Sequence, residues 1–185
     1  MELELKRGGR TARVETKGAE LVSYRDERGL EYIWGGDPAY WPGRNPLLFP
    51  IVGMLKEGKI RFDGREYAME RHGFARRREF TPAARGEDWV RLELRESAET
   101  LALYPYPFRL AVEQRLTDTG FSTAVTVANP GEGPLPFCLG AHTGFRCPLE
   151  AGERFEDYEL VFPERESCPT LLLRDGLLDR PAALP

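Results

Sequence analysis

Several residue types are scarce in this chain, and each scarcity excludes a class of protein. Three cysteines, an odd and small number, argue against a disulfide framework and favour the reducing cytoplasm. No apolar run is long enough to span a bilayer, and the first residues alternate without the apolar core of a secretory signal. The net charge of −4 provides no overall attraction to nucleic acid. We therefore expect a cytoplasmic protein with no nucleic-acid and no membrane partner.

The common cofactor and nucleophile motifs are also missing. The chain contains no P-loop, no G-x-G-x-x-G, no H-E-x-x-H and no G-x-S-x-G sequence. Cys138, His142 and Cys147 lie near one another, but they lack the paired C-x-x-C spacing of a zinc site. We expect no metal and no cofactor, and we interpret the two cysteines as small core residues.

What the chain does contain is a recurrent alternation of apolar and polar residues, which is typical of strands. Residues 59–62 and 65–69 flank Asp63-Gly64, a pair that supplies the positive φ angles of a tight hairpin. Residues 108–116 and 121–127 form a longer antiparallel pair with one wet side. No convincing helix is predicted. The pattern predicts an all-β protein, a large antiparallel β-sandwich in which residues 1–185 form one domain.

The C-terminal part of the chain predicts an incomplete sandwich. Residues 157–162 and 171–176 each resemble a strand, the second of them leading into a turn. Nothing in residues 180–185 resembles a closing strand or a cap. We therefore expect an open sheet edge and an uncovered core.

The only two histidines, His72 and His142, occupy similar settings. Each is followed closely by a Gly-Phe pair and flanked by strand-like sequence. Imidazole titrates nearest to neutral pH, so the pair suggests general acid–base chemistry. Taken alone, either residue is better interpreted as structural.

Two further groups of residues have both a functional and a structural interpretation. Trp34, Tyr40 and Trp41 could stack on a sugar ring or anchor a loop, and Arg44 in the adjoining Pro/Gly segment could hold hydroxyls or a carboxylate. The run 76–78 of three arginines could contact phosphate. In an acidic chain, a solvated strand end is the better interpretation of this run.

Read together and in order, several blocks resemble the aldose 1-epimerase (galactose mutarotase) family, in particular its bacterial LacX-like branch. The most specific block is residues 45–53, Asn-Pro-Leu-Leu-Phe-Pro-Ile-Val-Gly. The others are residues 18–21, 31–41, 67 with 72–80, 104–108, and 140–142 with 145. The resemblance extends over nearly the whole chain.

This resemblance implies a β-sandwich that interconverts the α and β anomers of aldohexoses without a cofactor. The ring oxygen receives a proton, the C1 hydroxyl loses one, the ring opens, and it closes on the other face. By the same resemblance, His142 matches the general acid and His72 the histidine that hydrogen-bonds the sugar. Arg44 matches an arginine that holds sugar hydroxyls. The implied partner is a small sugar such as glucose or galactose.

The general base of the family is a glutamate near the C-terminus, and no glutamate here has that motif context. Those of the last part of the chain, Glu150, Glu153, Glu156, Glu159, Glu164 and Glu166, precede it. We expect the chain to be an N-terminal portion of such a domain, with little activity by itself and poor folding. The alternatives are a non-catalytic carbohydrate-binding sandwich and a structural sandwich without a ligand.

Overall fold

The protein is described here by a computed structural model, which covers residues 1–165 and 167–182. Nearly all of its regular structure is β-strand. The strands are β1 (Glu2–Arg7), β2 (Arg10–Glu15), β3 (Glu20–Arg25), β4 (Leu47–Leu48), β5 (Lys59–Phe62), β6 (Arg65–Ala68), β7 (Thr81–Arg85), β8 (Trp89–Arg95), β9 (Arg109–Leu116), β10 (Phe121–Ala128), β11 (Gly140–Ala141), β12 (Thr170–Arg174) and β13 (Leu177–Ala182). Three 3-10 turns occur at Lys56–Gly58, Ala75–Arg77 and Phe155–Asp157. No helix of the described residues is long and apolar enough to cross a membrane.

The strands form two main antiparallel sheets. One has the order β1-β2-β3 and the other the order β10-β9-β8-β7. Three two-stranded pairs accompany them: β4 with β11, β5 with β6, and β12 with β13. The predicted hairpins are confirmed, since Phe121 pairs with Leu116 and Phe62 with Arg65.

The core lies between the two main sheets. Alternate residues of β1 and β2 point inward, among them Leu5 and Val14, which are fully buried. They belong to the same apolar cluster as Leu92 and Val112 from the second sheet. Two apolar faces in contact make the β-sandwich that the alternation predicted. A ring of aromatic side chains closes one end of this core: Phe49, Phe74, Tyr104 and Phe108.

Three sequence predictions about secondary structure are wrong. Residues 157–162 form no strand, because backbone donors and acceptors need a neighbouring strand and none of the described residues lies in position to pair with them. Residues 177–182 do form one, β13, which folds back on β12 through the Asp175-Gly176 turn. A four-residue helix, α1 (Ala98–Leu101), was not predicted, although Ser97 accepts a hydrogen bond from the backbone N–H of Thr100 and caps it.

Large apolar side chains are exposed along the later part of the chain. Leu160 is 87% exposed, Val161 77% and Phe145 68%. Strand β10 is an outer strand of its sheet and is only half-buried. The expected open edge is therefore present in the described residues, and this face of the sandwich is uncovered.

Candidate functional site

His142 reaches the site through the pairing of two very short strands. Ala141 of β11 pairs with Leu47 of β4, and the backbone N–H of His142 donates to the carbonyl of Pro46 at 3.2 Å. Two residues further, the N–H of Gly144 donates to the carbonyl of Arg44 at 2.6 Å. These bonds lay the segment that carries His142 along the loop that precedes β4, and the His142 side chain is left exposed.

His72 lies at the other end of β4, next to Phe49. Its backbone is left-handed, with a φ of 66°. Its N–H donates to the carbonyl of Gly53 at 2.8 Å, and its carbonyl accepts from the N–H of Phe49 at 3.2 Å. A parallel bridge joins Phe49 to Gly73. The turn that carries His72 is thus fastened to the segment 49–53, the first three residues of which are buried.

Gly73 is required for this attachment. Its φ is 69°, and a Cβ at this position would collide with the carbonyl group of Phe49 and come within 2.7 Å of the Pro50 nitrogen. A left-handed glycine without a side chain is what allows the two backbones to approach this closely.

The two histidines, far apart in sequence, become neighbours. Their ring centroids lie 6.2 Å apart, and the Trp41 ring lies 4.9 Å from that of His142. With hydrogen bonds of about 3 Å, this spacing lets one oxygen atom bond to a nitrogen of each ring at once. Two imidazoles and an indole face therefore lie together on one surface.

The protonation of His72 follows from its contacts. Its Nδ1 accepts a hydrogen bond from the backbone N–H of Gly53 at 3.0 Å, which assigns the proton of the neutral ring to Nε2. Burial lowers the pKa of His72, and the charges of Arg76, His142 and Arg71 lower it further. His72 is therefore a neutral ring whose Nε2–H is available as a donor.

Arg44 lies beside these residues, but its side chain points elsewhere. The backbone N–H groups of Arg44 and Asn45 both donate to Oε1 of Glu20, at 2.9 and 2.7 Å. The guanidinium packs on Gly36, where an added Cβ would lie 3.0 Å from Arg44 Cζ. The structure therefore places the backbone of Arg44 next to the His142 segment and its side chain in the aromatic loop.

Sequence reasoning missed three contributors. Glu20 anchors the loop before β4, and Gly53 orients the His72 ring. Arg76 binds the backbone carbonyl of Arg71, the residue before His72. Glu20 and Gly53 lie in blocks that resemble the family, yet nothing in the local pattern assigns them a role. Arg76 is half-buried within a 3-10 turn, so the expectation of a solvated strand end is wrong for this residue.

The cysteines take no part in this site. Cys138, Cys147 and Cys168 are all free and exposed, so the core role expected of Cys138 and Cys147 is wrong. Within residues 1–165 and 167–182, no three His, Cys, Asp or Glu side chains are grouped to hold a metal ion. Glu166 lies outside the described residues.

The chain is similar in sequence to known proteins. The family model for aldose 1-epimerase matches residues 1–175. The plasmid-encoded protein LacX of Lactococcus lactis subsp. lactis is 40% identical over 187 aligned positions. That alignment covers 97% of this chain and 62% of the relative, so the chain spans less than two thirds of the length of LacX.

Solved structures show the same fold. A galactose mutarotase related enzyme from Lactobacillus acidophilus superposes with a TM-score of 0.92 at 28% identity, covering 97% of this chain and 60% of that one. A galactose mutarotase-like protein from Lactobacillus casei has a TM-score of 0.78 at 34% identity, covering 82% of this chain and 52% of that one. The match of the family model over residues 1–175 shows that the chain belongs to the aldose 1-epimerase family.

Proposed function

We propose that this chain supplies the acid and sugar-binding part of a mutarotase site, which interconverts the anomers of an aldohexose. We also propose that residues 1–185 are the N-terminal portion of one such domain, in keeping with the 62% of LacX that they cover. The observation that supports the function best is the approach of the two imidazole rings to 6.2 Å beside Trp41.

The two histidines have different proton-transfer capacities. His142 is exposed and can be recharged from solvent, so it is the residue proposed to protonate the ring oxygen. His72 is held neutral and offers its Nε2–H as a hydrogen bond to the same region of the sugar. Protonation of the ring oxygen breaks its bond to C1, while the C1 hydroxyl loses its proton to a base and becomes the aldehyde carbonyl.

The flanking loop is proposed to bind the rest of the sugar. An indole face suits the apolar face of a pyranose, and Trp41 presents its ring next to His142. Arg44 is the proposed donor to sugar hydroxyls, which requires its guanidinium to leave Gly36 on binding.

A non-catalytic carbohydrate-binding sandwich is the second candidate. The charges of Arg76, His142 and Arg71 all favour the neutral form of His72, and no glutamate of the sequence has the motif context of the family's general base. A site with a donor and an acid but no base would bind a sugar without accelerating its ring opening. Calorimetric titration of the chain with glucose and galactose, run beside a rate assay, separates the two candidates.

Polarimetry of freshly dissolved α-glucose and α-galactose tests the enzymatic proposal. General acid catalysis contributes about 10²- to 10⁴-fold, so the small acceleration expected of a chain without the general base should disappear in His142→Ala. Lys59→Ala, an exposed change in the β5–β6 hairpin, serves as the control and should leave the rate unaltered. Full acceleration in His142→Ala would refute the assignment of the acid. Sugar binding without acceleration in the unmodified chain would favour the binding protein.

A further inference from the structure

Arg76 differs from the two arginines that follow it. The guanidinium of Arg77 pairs with Glu70 and that of Arg78 with Glu99. Arg76 instead donates from its Nη2 to the backbone carbonyl of Arg71 at 2.9 Å, in a bond that is exposed to solvent. Its Nε is shielded from solvent and has no hydrogen-bond partner among the described residues. A buried donor without a partner costs stability, so a purely stabilising role does not account for this side chain.

The carbonyl that Arg76 binds belongs to the peptide unit directly before His72. The N–H of that same peptide unit donates to the carbonyl of Gly53. With both of its polar groups bonded, the peptide plane is fixed, and its orientation sets the φ of His72. That angle is 66°, in a region that a side-chain-bearing residue adopts only when its surroundings hold it there.

We propose that Arg76 is a positioning residue for the sugar site, which holds the 71–72 peptide so that His72 Nδ1 meets the N–H of Gly53. The ring centroid then lies 6.2 Å from that of His142. Arg76 does not touch the sugar; it acts through the geometry of His72. The effect of Arg76 on catalysis rests on the proposed function, whereas its effect on the geometry of His72 can be tested without any sugar.

The charge of Arg76 acts in the same direction as its hydrogen bond. The charged or titratable groups that act on His72 are Arg76, His142 and Arg71, and all three favour the neutral ring. A neutral ring keeps Nδ1 free to accept from Gly53. Loss of Arg76 therefore removes both its hydrogen bond to the Arg71 carbonyl and its charge, each of which favours the neutral His72 ring with Nδ1 as acceptor.

The presence of only two histidines makes the test direct. We would record the ¹⁵N signals of both imidazoles, assign them with His142→Gln, and measure exchange of the Gly53 amide hydrogen. In Arg76→Met, His72 should lose its single Nε2–H tautomer, its pKa should rise, and the Gly53 amide should exchange about tenfold faster. Arg77→Met removes the same charge one residue away without touching the 71–72 peptide, and should leave the tautomer and the exchange rate unchanged.

Two outcomes would overturn the proposal. An unchanged His72 tautomer and Gly53 exchange rate in Arg76→Met would show that the clamp is not needed. An equal change in Arg77→Met would show that any loss of charge suffices. If circular dichroism shows that Arg76→Met does not fold, Arg76→Lys, which keeps the charge, tests the hydrogen bond alone: the single tautomer should be lost and the Gly53 amide should exchange faster. Absence of both sugar binding and mutarotase activity would refute the proposed function and leave these results intact.

Discussion

Gly73→Ala is the substitution for which the structure allows the most definite energetic prediction. The added methyl group meets the carbonyl of Phe49, a backbone group that cannot rotate aside. The turn that carries His72 must therefore move away from the segment 49–53. Because Gly73 also has a φ of 69°, the new side chain is strained even before the collision is considered.

The cost has two parts. A left-handed conformation for alanine costs about 1 kcal/mol. Separation of the two segments weakens the bonds that the Phe49 carbonyl accepts from the N–H groups of Phe74, at 3.0 Å, and Ala75, at 3.2 Å. Such bonds contribute about 1 kcal/mol each. Together these terms predict a loss of about 3 kcal/mol, which lowers the melting temperature of a domain of this size by about 10 °C.

Gly64→Ala is the matched control for this prediction. Gly64 has a φ of 80° in the β5–β6 turn, and no atom lies within 4 Å of the position that its Cβ would take. This variant bears only the conformational cost of about 1 kcal/mol, which lowers the melting temperature by about 3 °C. Thermal unfolding followed by circular dichroism compares the two. Equal destabilisation of both variants would refute the steric argument, since only the φ angle is common to them.

Three further outcomes are expected. The pKa of His72 is lowered in the folded chain, so near the ordinary histidine pKa of 6.5 the unfolded chain binds more protons than the folded one. The free energy of unfolding should therefore be full above pH 6.5 and fall as the pH decreases through that value. His72→Gln should flatten this part of a profile of melting temperature against pH, and an unchanged slope would contradict the assignment. Glu20→Gln should lower the free energy of unfolding by about 1–2 kcal/mol and speed hydrogen exchange of the Arg44 amide. The reason is that a neutral amide oxygen accepts more weakly than a carboxylate from that backbone N–H, which lies at 2.9 Å. Unchanged exchange would show that Glu20 is not the anchor. Tyr104→Phe should lower the free energy of unfolding by about 1 kcal/mol, because the hydroxyl of the buried Tyr104 donates to the carbonyl of Pro136 at 2.8 Å. Chemical denaturation measures this free energy, and an unchanged value would show that water replaces the bond at no cost.

The strands of the sandwich could be predicted from the sequence because alternation is a local property. Val90, Leu92 and Leu94 recur at every second position of β8 and are buried, whichever strand lies beside them. The Asp63-Gly64 turn likewise depends only on two residues that tolerate positive φ angles. Where pairing decides the outcome, the local pattern failed. Residues 157–162 are as apolar as a strand but pair with no strand among the described residues, whereas β13 forms because β12 pairs with it.

The sequence singles out the two histidines as candidates by their rarity and their motif context, and Arg44 by its loop. What the sequence could not supply is their arrangement. His72 and His142 meet because two distant segments both bond to the short stretch 44–53, one through β11 and one through the Phe49 bridge to Gly73. The tautomer of His72 depends on the N–H of Gly53, and the Arg44 side chain lies on Gly36. The sequence specifies the residue types. The distances and hydrogen bonds that give the two imidazoles different surroundings arise only when separate backbone segments pack together.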